Sequence, residues 1–173
     1  MDLDSLIDFA NEATETIAKH KVSVILSPKH ILAEDYAIAA LSWDSIDYGE
    51  DEIEKVPADK RGIYAFVVCK NNDVLPSHGY VLYIGIAGRD SERPLRARYK
   101  DYLNAKTVRK RAGIARMIGT WHSVLRFFFA PIDDNVPSDD LKEIEKQLNT
   151  ALMPPFSKGD LEADIRQQRR AFS

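Results

Sequence analysis

Two stretches decide the fold: GYVLYIGIAG (Gly79–Gly88) and RGIYAFVV (Arg61–Val68). Each is a short run of β-branched and aromatic residues punctuated by glycine. Between them lies KNNDVLPSHG (Lys70–Gly79), which is crowded with turn formers. The pattern predicts two antiparallel strands, Gly62–Cys69 and Tyr80–Ala87, joined as a hairpin. Each strand sets a tyrosine close to a glycine: Tyr64 follows Gly62, and Tyr83 precedes Gly85. Such tyrosines are either core aromatics or members of a site.

Working outward, Asp2–His20 repeats Leu3, Leu6, Ile7, Ala10, Ala13, Thr14 and Ile17 at helical spacing. Pro28–Leu41 predicts a second helix. SWDSIDYGEDEIEKVP, ending at Pro57, is acidic and turn-rich and reads as a linker. After the hairpin, Leu95–Asn104 and Val108–Gly119 read as basic helices and Trp121–Pro131 as a third strand. Ser138–Leu152 reads as a helix, with Ser138 as cap and Asp139 and Asp140 at its positive end. Met153-Pro154-Pro155 stops it, and Gly159–Arg170 predicts a last polar helix. The order predicts an α+β fold: a small antiparallel three-stranded sheet flanked by helices, with an N-terminal helical extension. The expected division is residues 1–59 as an acidic extension, 60–160 as the main domain and 161–173 as a C-terminal helix.

The 173 residues are 45% hydrophobic and 29% charged, enough to bury a core without an apolar run that would cross a membrane. Cys69 is the only cysteine, so an internal disulfide is excluded and a cytoplasmic setting is expected. The formal net charge of -3 conceals a segregation. Met1–Asp59 carries 4 basic and 14 acidic residues, whereas Ile86–Arg126 carries 11 basic and 3 acidic. A basic block inside an acidic chain reads either as a solvated helical face or as a surface for a polyanion. His20, His30, His78 and His122 lack metal-ligand spacing, and no glycine-rich phosphate loop occurs.

Gly62-Ile63-Tyr64 and Tyr83-Ile84-Gly85, followed by Arg98 and Tyr102 in LRARYKDYL and Glu145 in LKEIEKQLNTALMPPFS, resemble the GIY-YIG nuclease family over roughly Arg61–Asp160. The resemblance implies a Mg²⁺- (or Mn²⁺-) dependent endonuclease acting on DNA, with RNA left open and a homodimer compatible. It implies catalytic roles for Tyr64, Tyr83, Arg98, Tyr102 and Glu145, with Glu145 holding the metal. Gly62, Gly85 and Ser157 fall at supporting positions. Ser157 stands where the family has asparagine, and Ile86 stands where it often has lysine, for which Arg89 is the candidate substitute. Arg96 rivals Arg98, and Glu143 rivals Glu145.

The chemistry fits these residue types. Phosphodiester hydrolysis needs an oriented water, a base and positive charge on the phosphoryl oxygens. A phenol becomes a base only if cations lower its pKa, and Arg98 is the expected cation. The glycines are expected to let backbone approach substrate. Arg89, Arg93, Arg96, Lys100, Lys106, Arg109, Lys110, Arg111 and Arg116 are expected to grip the nucleic-acid backbone, extended by Arg166, Arg169 and Arg170. The alternatives are a catalytically weakened nucleic-acid-binding module and an interaction protein that uses the acidic N-terminal region on the same fold.

Overall fold

A computed structural model describes residues 3–25, 28–32, 41–69, 78–88 and 93–157, together with Leu161, Ile165 and Gln167. Residues 70–77 of the predicted hairpin loop, residues 33–40 of the second predicted helix and nearly all of the last one fall outside the described residues.

Strands β2 (Arg61–Val68) and β3 (Tyr80–Ala87) pair antiparallel, with Tyr64 opposite Gly85 and Phe66 opposite Tyr83. Strand β4 (Leu125–Ile132) pairs with the other edge of β2, setting Tyr64 opposite Phe129. The sheet is not three-stranded. A fourth strand, β1 (Asp44–Asp47), pairs with β4 and gives the order β1-β4-β2-β3. It arises in the acidic stretch expected to be a linker. The surrounding residues are also built in: Ile46 and Val56 are fully buried, so the domain expected to begin at residue 60 shares its core with them.

Alternation along the strands divides the core in two. Ile63, Ala65 and Val67 of β2 and Ile84 of β3 pack with Leu141 and Leu148 of α6 (Ser138–Leu152). Tyr64 and Phe66, with Phe127 and Phe129 of β4, face the other way. They pack with Leu95, Tyr99 and Tyr102 of α3 (Leu95–Leu103), Val108 of α4 (Ala105–Arg109) and Ile114 and Met117 of α5 (Ala112–Trp121). Burying each of these large side chains contributes about 1.5–3 kcal/mol. The predicted basic helix Val108–Gly119 is thus two short helices. The predicted third strand starts later than Trp121, because α5 continues to that residue and a 3-10 turn spans His122–Val124. Pro137, not Ser138, precedes the first turn of α6.

Two further elements precede the sheet: α1 (Leu3–His20) and the short α2 (Pro28–Ile31). Most apolar positions described on α1 stay outside the core. Leu6, Ile7, Phe9 and Ile17 are exposed, and the helix end is held by Arg116, which donates to the carbonyls of Ala18 and Lys21. Among the described residues, no helix is long and apolar enough to cross a membrane.

Candidate active site

Three local features bring the tyrosines together. The first is a bulge in the hairpin. Phe66 faces Tyr83, but the next residue, Val67, faces Val81, so Leu82 is an extra residue on β3. The bulge turns Leu82 and Tyr83 toward the same core as Phe66. The second is Gly85. A Cβ there would lie 2.5 Å from the Tyr64 hydroxyl, so the space a side chain would need holds the phenol of the neighbouring strand. The third is α3, whose helical repeat sets Arg98 and Tyr102 one turn apart on the face toward the sheet.

The outcome is a continuous hydrogen-bonded chain. Arg98 Nε donates to the Tyr64 hydroxyl at 3.1 Å, and the Tyr64 and Tyr102 hydroxyls are 2.7 Å apart. Arg111 donates one N–H to the Tyr102 hydroxyl at 3.1 Å and another to the Tyr83 hydroxyl at 3.0 Å. Its guanidinium lies 5.4 Å from the Tyr83 ring centre and 5.3 Å from that of Tyr102, within cation–π range. Tyr64 and Tyr102 are fully buried, whereas Tyr83, Arg98 and Arg111 are half-buried.

The electrostatics differ from the sequence expectation at one point. Burial pushes the Tyr64 phenol well above its usual range, and the negative charge Tyr102 and Tyr83 would carry if ionised adds to this. Arg98 opposes the shift without reversing it. Tyr102 is also raised, chiefly by burial, against the pull of Arg111. A cation next to a phenol does not make a base when the phenol has no water around it. Burial thus favours the neutral, hydrogen-bonded phenol at Tyr64 and works against the phenolate that Arg98 was expected to favour.

Around this cluster the acidic lead-in fixes α3. The Tyr48 hydroxyl donates to the Tyr102 carbonyl at 2.7 Å, and the Tyr99 hydroxyl donates to the Gly49 carbonyl at 2.8 Å. Arg96 does the same from the helix start: Nε donates to the Val56 carbonyl at 2.7 Å, and its guanidinium pairs with Glu54. Arg96 thus serves internal structure, whereas its rival Arg98 meets Tyr64.

The remaining candidates divide by location. Glu145 is half-buried on α6, whose Leu141 and Leu148 lie on the sheet face opposite the phenols. Glu143 is exposed and ion-paired with Lys146 at 2.7 Å. After α6 the chain follows the free edge of β3. Phe156 N–H donates to the Leu82 carbonyl at 3.0 Å, and Ser157 Oγ accepts from Ile84 N–H at 2.9 Å. Ser157 thereby covers an otherwise open sheet edge. Gly62 serves a neighbouring strand: a Cβ there would lie 2.2 Å from the Ala130 carbonyl oxygen, so the close backbone approach is within the sheet. Ile86 packs on the face away from the phenols, and Arg89, Arg166, Arg169 and Arg170 lie outside the described residues.

Of the basic block, Arg93 is exposed and pairs with Asp101 at 2.6 Å, and Arg116 holds the end of α1. Lys100, Lys106, Arg109 and Lys110 are exposed and form no ion pair among the described residues. Sequence reasoning placed Arg111 among these outward cations, and the structure places it within the phenol cluster. Tyr99 was not singled out at all; its signal was its place one turn before Tyr102 on the same helix face. Comparison with protein families, with curated proteins and with solved structures returns no match to this chain.

Proposed function

We propose that the protein is a metal-dependent endonuclease of the GIY-YIG type, hydrolysing phosphodiester bonds in DNA. The observation that carries the reading is the meeting of Tyr64, Tyr83, Tyr102 and Arg98, from two strands and a helix, in one hydrogen-bonded cluster beside exposed basic residues. Those are four of the five side chains that the sequence resemblance assigns to catalysis; the fifth, Glu145, lies on α6, which packs on the opposite face of the sheet.

In this reading each group has a distinct task. Tyr83, half-buried and held by Arg111, orients the attacking water. Arg98 supplies positive charge to the phosphoryl oxygens as negative charge grows on them. Tyr64 and Tyr102 stay neutral and fix the positions of Arg98 and Arg111. Lys100, Lys106, Arg109 and Lys110 bind flanking phosphates without reading sequence. Glu145 fits a magnesium ion by chemistry: it is a hard oxygen donor, and magnesium keeps several waters and takes the rest of its ligands from phosphate. Among the described residues no group of three or more His, Cys, Asp or Glu forms an all-protein cage. Held by Glu145, a magnesium ion would supply positive charge to a bound phosphate.

The deep burial of Tyr64 supports a second reading, a nucleic-acid-binding module with weakened catalysis. Incubating the protein with supercoiled plasmid and Mg²⁺ separates the two. Nicking that chelation abolishes supports the endonuclease. Salt-dependent binding without nicking supports the module.

A further inference from the structure

Among the described cations expected to grip the nucleic-acid backbone, Arg111 is the one that turns into the phenol cluster. It lies between α4 and α5, half-buried, and it forms no ion pair among the described residues. Its inward contacts are two phenol oxygens, those of Tyr102 and Tyr83. Neutral phenols leave a guanidinium fully charged, whereas a carboxylate would cancel that charge. Arg98 is in a similar position. Its donor Nε is taken by Tyr64, and its one carboxylate contact among the described residues, Asp101 at 3.7 Å, is longer than a hydrogen bond; Asp101 pairs more closely with Arg93 at 2.6 Å. The two guanidiniums are joined through the Tyr64–Tyr102 hydroxyl pair, so they belong to one site. Two half-buried guanidiniums therefore share one cluster, and among the described residues the carboxylate that meets them is Asp101, 3.7 Å from Arg98. A guanidinium has five N–H donors, and the phenols engage two of those on Arg111.

We propose that Arg111 is the second oxyanion-binding arginine of this cluster, acting with Arg98 to hold one phosphoryl group. The remaining N–H groups of Arg111 donate to the phosphoryl oxygens while its two phenol contacts fix the plane of the fork. The ligand class is a tetrahedral phosphoryl oxyanion, either a diester within nucleic acid or free phosphate. The inference deepens the nuclease reading and rests on it for the identity of the site, but binding is measured apart from cleavage.

The experiment is calorimetric titration of the full chain with inorganic phosphate, and separately with a short DNA duplex, at fixed low salt without divalent metal. The variants are Arg111→Met, Arg98→Met, Arg111→Lys and, as a control remote from the cluster, Lys142→Met. Loss of about tenfold or more in phosphate affinity is expected for Arg111→Met and for Arg98→Met, with Lys142→Met unchanged. Arg111→Lys keeps the charge but loses the fork, and a loss of about threefold or more is expected. If Arg111→Met fails to fold, Arg111→Lys carries the test. Phosphate affinity unchanged in the folded Arg111 variants, or no phosphate binding by the wild-type chain, overturns the inference. Effects on the duplex with none on free phosphate also overturn it, since they would make Arg111 an ordinary backbone grip. Wild-type protein that binds phosphate through Arg111 yet never nicks DNA would remove the nuclease reading and leave this inference standing.

Discussion

The hydroxyls of Tyr64 and Tyr102 lie 2.7 Å apart, each on a fully buried side chain and each facing its own guanidinium. Arg98 donates to the first and Arg111 to the second. The pair is a polar seam inside an aromatic core, lined by Phe66 and Phe127. Removing one hydroxyl takes a hydrogen-bond partner from each of its neighbours. Tyr64→Phe is expected to lower stability by about 1–3 kcal/mol, because Arg98 Nε and the Tyr102 hydroxyl both lose a partner. The check is denaturant unfolding of the variant against wild type at neutral pH.

The same burial makes a pH prediction. Tyr64 and Tyr102 are raised above 10.0, Tyr48 is raised, and Tyr99 is pushed up to about 12, chiefly by burial in each case. A raised phenol keeps its proton in the folded state while the unfolded chain loses it. The stabilisation is full below pH 10 and declines as pH rises beyond it, by about 1.4 kcal/mol per pH unit for each phenol that stays protonated. Melting temperature should therefore hold steady to about pH 10 and then fall steeply. Tyr64→Phe should flatten that fall; an unchanged slope would mean that Tyr64 is not the buried acid described here.

Gly85 and Gly62 resist substitution for different reasons. At Gly85 an added methyl meets the Tyr64 phenol, which can shift only by breaking its bonds to Tyr102 and Arg98. At Gly62 it meets backbone, the Ala130 carbonyl. Gly85→Ala is expected to cost about 1–3 kcal/mol as an overpacked site. Gly62→Ala should cost more, because the main chain of β4 has to move. Equal unfolding midpoints for the two variants would contradict this.

How far these features were legible follows from the kind of signal each one gives. The hairpin and its tyrosines stand out because β-branched and aromatic residues alternate between turn formers, and the following helices show ordinary periodicity. The choice of Arg98 over Arg96 came from helical phase with Tyr102, and Arg98 is the one that meets Tyr64. Strand β1 was hidden because DSID has one apolar residue; it is a strand only because β4 offers an edge and Ile46 a place in the core. That β4 edge lies far away in the chain. Arg111 was hidden for the opposite reason. In VRKRAG several cations stand side by side, and charge alone cannot say which one turns inward. The break between α4 and α5 decides it, and that break depends on tertiary packing.

The acidic lead-in therefore acts on the site through α3. Tyr99→Phe removes the donor to Gly49, and Tyr48→Phe removes the donor to the Tyr102 carbonyl. Each is expected to cost about 0.5–1.5 kcal/mol and to speed amide exchange in residues 44–56 more than in β2. Exchange that is uniformly faster across the sheet would show that this segment does not open separately.

The central claim is that this cluster, with Glu145, cuts a phosphodiester bond. The most direct measurement is the rate of Mg²⁺-dependent nicking of supercoiled DNA by wild type, Tyr83→Phe and Glu145→Ala, with duplex affinity measured alongside at the same salt. The account predicts that the wild-type chain nicks, and that both variants bind with similar affinity but nick at least about 100-fold more slowly. Nicking that persists at the wild-type rate in either folded variant would contradict it.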